Sequence, residues 1–304
     1  MNLDIDQIPK QKGKVAIITG ANSGLGYETA LVLSKKEVTV IMACRNLKKA
    51  EKAKKQLLDE VPSADIQLME IDLSKLESVR TFAATFQEKF DQLDMLINNA
   101  GVMMPPYEKT DDGFELQFEA NYLGHFLLTA LLIDQLEKTP SSRIVSLSSI
   151  AHKSAKINFD DLQSEKKYSK SEAYGQSKLA CLIFAYELQR RLEKRNSNTI
   201  SVAAHPGVSN TDLMRHMPKF ITTVLGPILI PIFTHKPSKA AQAQINAALN
   251  SEVNGGDYLG PTGFSEMKGE VGIVDSNKIS KDKYVAKKLW NTSEVLCEEK
   301  FFKE

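Results

Sequence analysis

The stretch that most restricts how this chain can fold runs from Lys14 to Gly26. Val15-Ala16-Ile17-Ile18 is an unbroken apolar run of strand length that ends at Thr19-Gly20, and a helical pattern begins beyond Gly26. A strand that is apolar on both faces belongs in a sheet covered on both sides, the setting of parallel α/β architectures. The connecting turn, Thr19-Gly20-Ala21-Asn22-Ser23-Gly24-Leu25-Gly26, puts glycines where a backbone must reverse sharply and let a ligand come close. The helix N-terminus beyond it would offer free N–H groups and the positive end of its dipole to an anion such as a pyrophosphate. The spacing departs from the common G-x-G-x-x-G fingerprint, and taken alone a glycine turn with no ligand is an equally open reading.

The same alternation of strand and helix continues down the chain. Strands are expected at Thr39 to Ala43, Ile66 to Ile71, Leu93 to Ile97, Arg143 to Ser148 and Ile200 to Ala204, with a last short one at Asp257 to Leu259. Helices are expected at Lys48 to Glu60, after a capping box at Ser74-Lys75-Leu76-Glu77, from about Asp112 to Glu137, around Tyr174 and Lys178, and at Pro237 to Leu249. No repeat or linker divides the 304 residues. The pattern predicts a single-domain α/β doubly wound fold over residues 1–304, with a mainly parallel central sheet and helices on both faces. Two segments depart from the alternation. The apolar stretch from Leu213 to Phe233, broken by Gly226, Pro227 and Pro231, reads as a wall over a substrate site near 211–236 or as a contact surface. A charged tail starts near Lys278, with Trp290 as its one large anchor.

Composition excludes several function classes. With 39 basic and 38 acidic residues the net charge is +1, so there is no general attraction to nucleic acid or to an anionic membrane, and small-molecule partners are favoured. Cys44, Cys181 and Cys297 stand far apart without C-x-x-C spacing, which argues against a disulfide framework and a zinc site and fits a reducing compartment. The polar start, Met1 to Lys12, lacks the features of a secretory signal, and the 14 residues from Phe220 to Phe233 are too few to span a bilayer. A cytoplasmic location is expected, with no metal.

Candidate site residues gather at the carboxyl ends of the strands, where open parallel sheets bind ligands. Asp72 follows the third strand and Asn98-Asn99-Ala100-Gly101 the fourth; the asparagines could also simply close a turn. Cys44-Arg45-Asn46 closes the second strand, where an acid would read a free ribose 2′-hydroxyl and an arginine a 2′-phosphate; here the acid is missing. Plain surface charge is the other reading of Arg45. Asn121 lies inside a helix, either as buried glue or as part of a polar site, and His125 one turn on is expected to be packed. Ser148-Ser149 ends the fifth strand, without the G-x-S-x-G elbow of a serine hydrolase. Tyr174 and Lys178, four residues apart, share one helix face, which places an ammonium to lower the phenol's pKa; a solvated face is the bland alternative.

In order and together, Thr19-Gly20-x-x-x-Gly24-x-Gly26, Asp72, Asn98-Asn99-Ala100-Gly101, Asn121, Ser149, Tyr174-x-x-x-Lys178 and Pro206-Gly207 resemble the short-chain dehydrogenase/reductase family over roughly residues 10 to 260. Ala43-Cys44-Arg45-Asn46, Ser148-Ser149-Ile150-Ala151-His152 and the long gap before Tyr174 are similar to the branch of retinol dehydrogenases and protochlorophyllide-reductase-like enzymes. The resemblance implies a Rossmann-type fold and an NADP(H)-dependent oxidoreductase acting on an apolar aldehyde, ketone or alcohol. It implies that Tyr174 exchanges the substrate's proton, that Ser149, second of its pair, holds the carbonyl oxygen, that Lys178 holds the nicotinamide ribose, and that Asn121 anchors a water leading to Lys178. Cofactor contacts are implied for Gly20, Asn22, Ser23, Gly24, Leu25, Gly26, Arg45, Asp72, Leu73, Asn99, Ala100, Gly101, Tyr174, Lys178, Pro206, Gly207, Val208 and Thr211. Relatives often pair through the helices that carry Asn121 and Tyr174, so a monomer or a homodimer is open; the excursion from His152 to Ser171 could block that surface. A non-catalytic NADPH sensor is the competing class, and the presence of all four catalytic-type residues speaks against it.

Overall fold

The computed structural model describes residues 7–207 and 236–302. Eight strands form one sheet in the order β3-β2-β1-β4-β5-β6-β7-β8. They are β1 Val15–Thr19, β2 Thr39–Cys44, β3 Ile66–Glu70, β4 Met95–Asn98, β5 Arg143–Leu147, β6 Ile200–Ala204, β7 Tyr258–Pro261 and β8 Val271–Ile273. All neighbouring pairs are parallel except β7 with β8. The chain starts at β1, winds out to β3, and returns to place β4 on the other side of β1. The strand order therefore reverses between β1 and β4, which opens a crevice at their carboxyl ends.

Alternate residues of each strand feed two cores, as the two-residue period of a strand requires. Val15 and Ile17 join the core under helices α3 (Leu76–Lys89), α5 (Gly124–Lys138) and α6 (Lys170–Lys194), whereas Ala16 and Ile18 join the core under α1 (Gly24–Lys35) and α2 (Leu47–Glu60). This explains the unbroken apolar runs, because every strand residue of β1 is buried on one face or the other.

Several expectations need correction. The capping box does not form: the Ser74 hydroxyl turns to the Asp72 carboxylate at 2.6 Å, and the first N–H of α3, from Leu76, is taken by Asp112 Oδ2 at 2.7 Å. A nearer carboxylate outcompetes a local cap. The helix expected from Asp112 to Glu137 is a short turn α4 (Leu116–Phe118), a π-helical segment Glu119–Leu123, and α5. The expected helix at Pro237 to Leu249 is two, α7 (Pro237–Ala240) and α8 (Gln242–Leu249), and β7 is not the last strand, since β8 pairs with it. The charged tail is in fact helix α9 (Lys283–Leu296), which turns Ala286, Leu289, Trp290 and Ser293 inward and is followed by a buried Phe301. Trp290 is thus one of several anchors. The excursion before α6 is pinned by hydrogen bonds between Asn158 and Leu162 and the Gln176 side chain, and from Tyr168 to the Pro105 carbonyl. The expected wall at 213–233 lies outside the described residues.

Candidate active site

The crevice beside β1 begins with the glycine turn. Gly20 and Gly24 adopt positive φ of 68° and 55°, the left-handed region that glycine enters without a steric cost. At Gly26 the constraint is space: a Cβ there would lie 2.5 Å from the Gly20 carbonyl oxygen and 2.7 Å from Asn99 Nδ2. The N-terminus of α1 follows, without a side-chain cap from Ser23 and without an acid in its first turn. Its N–H groups and dipole remain available to an anion, which suits a dinucleotide's pyrophosphate.

Thr19, part of the glycine motif but given no role of its own from the sequence, organises the opposite lip. Its hydroxyl oxygen accepts the N–H groups of Asn99 and Ala100, each at 2.9 Å, and lies 2.9 Å from His125 Nε2. His125 Nδ1 is 2.9 Å from the Asn121 carbonyl, which only accepts, so Nδ1 carries the hydrogen and Nε2 accepts the Thr19 hydroxyl. Burial pushes this imidazole down to about 4, in keeping with a neutral ring. His125 is packed as expected, but its orientation comes from Asn121 one turn away. Gln244 of α8, also unforeseen, donates to Asn99 Oδ1 at 3.2 Å and completes the lip. The signals for both residues are tertiary.

At the adenosine end, Cys44 is buried, and burial pushes its thiol up to about 11 although the Asn22 and Ala21 backbone groups pull it down. The position where an acid would read a 2′-hydroxyl is therefore neutral. Arg45 beside it is exposed, and its nearest ion-pair partner is Asp72, with Nη1 3.9 Å from Oδ1. Leu73 packs against the first turn of α5: a Cβ on Gly124 would lie 2.4 Å from the Leu73 carbonyl oxygen. On the far side, Pro206-Gly207 follows β6, with Gly207 at φ 70°. Val208 and Thr211 lie outside the described residues.

Tyr174, Lys178, Ser149 and Asn121 come together as expected. In α6 Tyr174 and Lys178 are each 5% exposed, and the Ser149 side chain is the neighbour that lowers the Tyr174 phenol. Burial pushes this phenol up to about 12, against the lowering by Ser149. Lys178 is not the cation that lowers it here. Buried, it is itself shifted down, and its Nζ donates to the Leu147 carbonyl at 3.1 Å. Asn121 is buried and fully engaged; the π segment turns its amide across to Val102, accepting from the N–H at 2.7 Å and donating to the carbonyl at 3.0 Å, with a further donation to Ser177 Oγ at 2.9 Å. Gly101 leaves the space beside this group open, since a Cβ there would stand 3.0 Å from Asn121 Oδ1 and 3.3 Å from Lys178 Nζ. Nearby, a cavity of about 680 Å³ is lined by Met104, Pro106, Tyr107 and the segment Tyr168 to Ser171 just ahead of Tyr174.

The doubly wound sheet and the glycine turn that opens it place the chain among dinucleotide-binding α/β proteins. More narrowly, it belongs to the short-chain dehydrogenase family, whose model matches residues 14–221. It is therefore an oxidoreductase acting on CH–OH or C=O groups with a nicotinamide cofactor. Similar proteins include Retinol dehydrogenase 13 from Homo sapiens, 42% identical over 286 residues that cover 92% of this chain and 83% of that protein. Retinol dehydrogenase 14 from Mus musculus is 43% identical over 299 residues, covering 93% and 86%. Among solved structures, an uncharacterized protein from Mycobacterium Paratuberculosis superposes with a TM-score of 0.82 at 36% identity over 100% of both chains. The Pseudomonas aeruginosa RhlG/NADP active-site complex shares the fold, with a TM-score of 0.64 at 22% identity over 82% of this chain and 94% of that one. Among the described residues no helix is long and apolar enough to cross a membrane.

Proposed function

We propose that this protein is an NADP(H)-dependent enzyme that interconverts an apolar alcohol and its aldehyde or ketone, substrates of the retinol type among them, with Tyr174 as the acid/base. The observation that carries this reading is the buried helix face of Tyr174 and Lys178, with Ser149 acting on the phenol and Lys178 Nζ and the Asn121 amide meeting beside Gly101. The bound cofactor supplies the hydride donor or acceptor. Tyr174 would give the proton to the substrate oxygen in reduction and take it in oxidation. Ser149 would donate a hydrogen bond to the same oxygen, where negative charge develops. Lys178 has N–H groups beyond the one on Leu147 and would hold the ribose hydroxyls, its positive charge assisting the phenol once the cofactor excludes water. Asn121 would fix the Gly101–Val102 backbone beneath the nicotinamide. The neutral Cys44 and exposed Arg45 support the choice of the phosphorylated cofactor.

The apolar substrate class is supported by the retinol dehydrogenases at about 40% identity. Because both cores share one sheet, we take binding and catalysis to reside in a single domain. The test is a screen of apolar aldehydes, ketones and alcohols followed by NADPH absorbance. Turnover that disappears in Tyr174→Phe is expected. Tight NADPH binding with no turnover of any of them would instead make the protein a cofactor-binding sensor.

A further inference from the structure

His152 takes no part in the chemistry above, yet it closes on Ser149 from behind. The ring is wholly buried, and its Nδ1 lies 2.6 Å from the Ser149 carbonyl oxygen. A carbonyl only accepts, so Nδ1 carries the hydrogen. The backbone N–H of His152 reaches the same oxygen at 3.0 Å, while the Ser149 hydroxyl oxygen accepts from the Ala151 N–H at 3.2 Å. The turn is anchored in its turn by Asn277, whose Nδ2 donates to the His152 carbonyl at 2.6 Å.

What stands behind the ring is just as closely fitted. Tyr258 of β7 meets His152 edge-on, with ring centres 5.5 Å apart, and meets His205 at 5.1 Å. His205 Nδ1 accepts the Gly207 N–H at 3.2 Å, which leaves the hydrogen on Nε2, 3.3 Å from Glu266 Oε2. Glu266 also pairs with Lys153 at 2.6 Å. Gly260 alone makes room for this arrangement, because a Cβ there would lie 2.0 Å from His205 Nε2. Packing does not account for an imidazole at position 152. Its Nε2 is buried with no hydrogen-bond partner among the described residues, a cost that an apolar side chain would avoid. Its ring makes two polar contacts, a short one to the Ser149 carbonyl at 2.6 Å and a longer one from Nδ1 to the Tyr258 hydroxyl at 3.4 Å.

We propose that His152 is a positioning residue for the reaction: it clamps the Ser149 main chain so that the serine hydroxyl stays against the Tyr174 phenol. The inference rests on the proposed roles of Ser149 and Tyr174. Displacing a reacting group by a fraction of an ångström is enough to slow turnover markedly. The clamp also has a pH signature. The groups that act on His152 are Lys153, His205, Tyr258 and Glu266, and burial, together with the Lys153 charge, keeps its pKa below the ordinary imidazole value. Those that face Tyr174 are Ser149, Cys181 and Tyr258, and of these Ser149 lowers the phenol. Loosening Ser149 would therefore move the phenol's titration to higher pH.

The test compares His152→Ala, His152→Asn, Ser149→Ala, the His152→Ala/Ser149→Ala double variant and Tyr174→Phe in the full chain. Readouts are kcat, KM, NADPH affinity by fluorescence, and the pH profile of alcohol oxidation. His152→Ala is expected to lower kcat about 10- to 100-fold, with KM and NADPH affinity within about two-fold, and to move the acidic limb of the profile upward. In the Ser149→Ala background it should cost less than about two-fold more. His152→Asn places an amide N–H where Nδ1 stood and should recover most of the rate. Should the cavity left by Ala unfold the chain, His152→Leu fills the volume without a donor and should lose what Ala was expected to lose. Losses that multiply in the double variant, an unmoved profile, or equal losses in His152→Asn and the donor-free variants would overturn the proposal. If Tyr174→Phe and Ser149→Ala keep their activity, the functional reading itself fails; if they lose it and His152→Ala does not, only the clamp fails.

Discussion

Tyr174 bears the proton transfer in this reading, and without cofactor its phenol is pushed up to about 12 because burial outweighs the lowering by Ser149. Tyr174→Phe is expected to lower turnover by about 10² to 10⁴ and to leave NADPH affinity nearly unchanged; near-wild-type rates would remove Tyr174 from the chemistry. At the other end of the cofactor, Cys44 and Arg45 set the preference. A hydrogen bond to a charged group contributes about 1.5–3 kcal/mol, or roughly 10- to 150-fold, and the 67% exposure of the Arg45 side chain puts the effect near the lower figure. Replacing Cys44 by Asp and Arg45 by Ala should reverse the choice of NADPH over NADH, since it adds repulsion as well as removing attraction. Equal dissociation constants of the native protein for the two cofactors would make Arg45 plain surface charge. His125 gives a stability test. Its folded pKa of about 4 lies below the ordinary imidazole value of about 6.5, so between these limits the unfolded chain binds a proton that the folded one refuses. Its contribution is complete above pH 6.5 and is lost as the pH falls toward 4, by about 3 kcal/mol in all. His152 and His205, also lowered by burial, act with the same sign, so the measurement is the difference in melting temperature against pH between wild type and His125→Gln. Parallel curves would show that His125 is not held neutral.

The glycine turn and the helix it opens form a unit whose ligand site follows from local rules. Gly26→Ala should show this: its Cβ would come 2.5 Å from the Gly20 carbonyl and 2.7 Å from Asn99 Nδ2, so α1 must move away from both lips of the crevice. NADPH affinity is expected to weaken by at least about tenfold, while losing one glycine's backbone freedom offers about 1 kcal/mol at most in return. Undiminished NADPH affinity would mean that the turn does not hold the pyrophosphate. This element was legible because its constraints are contiguous: an apolar run, positive-φ glycines and an uncapped helix end. The π segment was not. Glu119-Ala120-Asn121-Tyr122-Leu123 reads as ordinary helix, and the extra residue in its turn matters only because the Asn121 amide meets both polar groups of Val102 and the Ser177 hydroxyl. Ser74 likewise has the sequence of a helix cap, but its hydroxyl goes to Asp72 and Asp112 takes the Leu76 N–H, both carboxylates lying outside the helix. The three residues of β8 are too few to carry a period and become a strand by pairing with β7.

At the scale of the whole molecule, the carboxyl-terminal helix closes the core that supports the site. From the sequence it read as part of a charged tail because lysines and acids flank it on both sides, although Ala286, Leu289, Trp290 and Ser293 fall on one face at helical spacing. Trp290 packs against Phe126 of α5 at 5.3 Å, Phe184 of α6 at 5.9 Å and Phe301 at 4.5 Å, under the Arg191 guanidinium at 4.1 Å; the Tyr122 hydroxyl meets Ser293 Oγ at 2.7 Å. Helix α9 thus lies over the outer faces of α5 and α6, the helices through which pairing was considered, and two chains pairing there would have to displace it. We expect the protein to sediment as a monomer of 33.8 kDa. A dimer that persists on dilution would require another surface. Trp290→Ala tests the packing directly. Truncating a buried tryptophan typically costs about 3–5 kcal/mol, a large part of the roughly 5–15 kcal/mol that holds a typical protein folded. The melting temperature should fall by roughly 10 °C, since about 2–4 °C accompanies each kcal/mol in a chain of this size class. NADPH affinity below the new transition should stay within about two-fold, because the glycine turn sits on the opposite face of the sheet, against the other core. A change in melting temperature of only a degree or two would show that α9 is an appendage after all. A loss of NADPH affinity without a change in melting would tie the helix to the crevice instead of to the core.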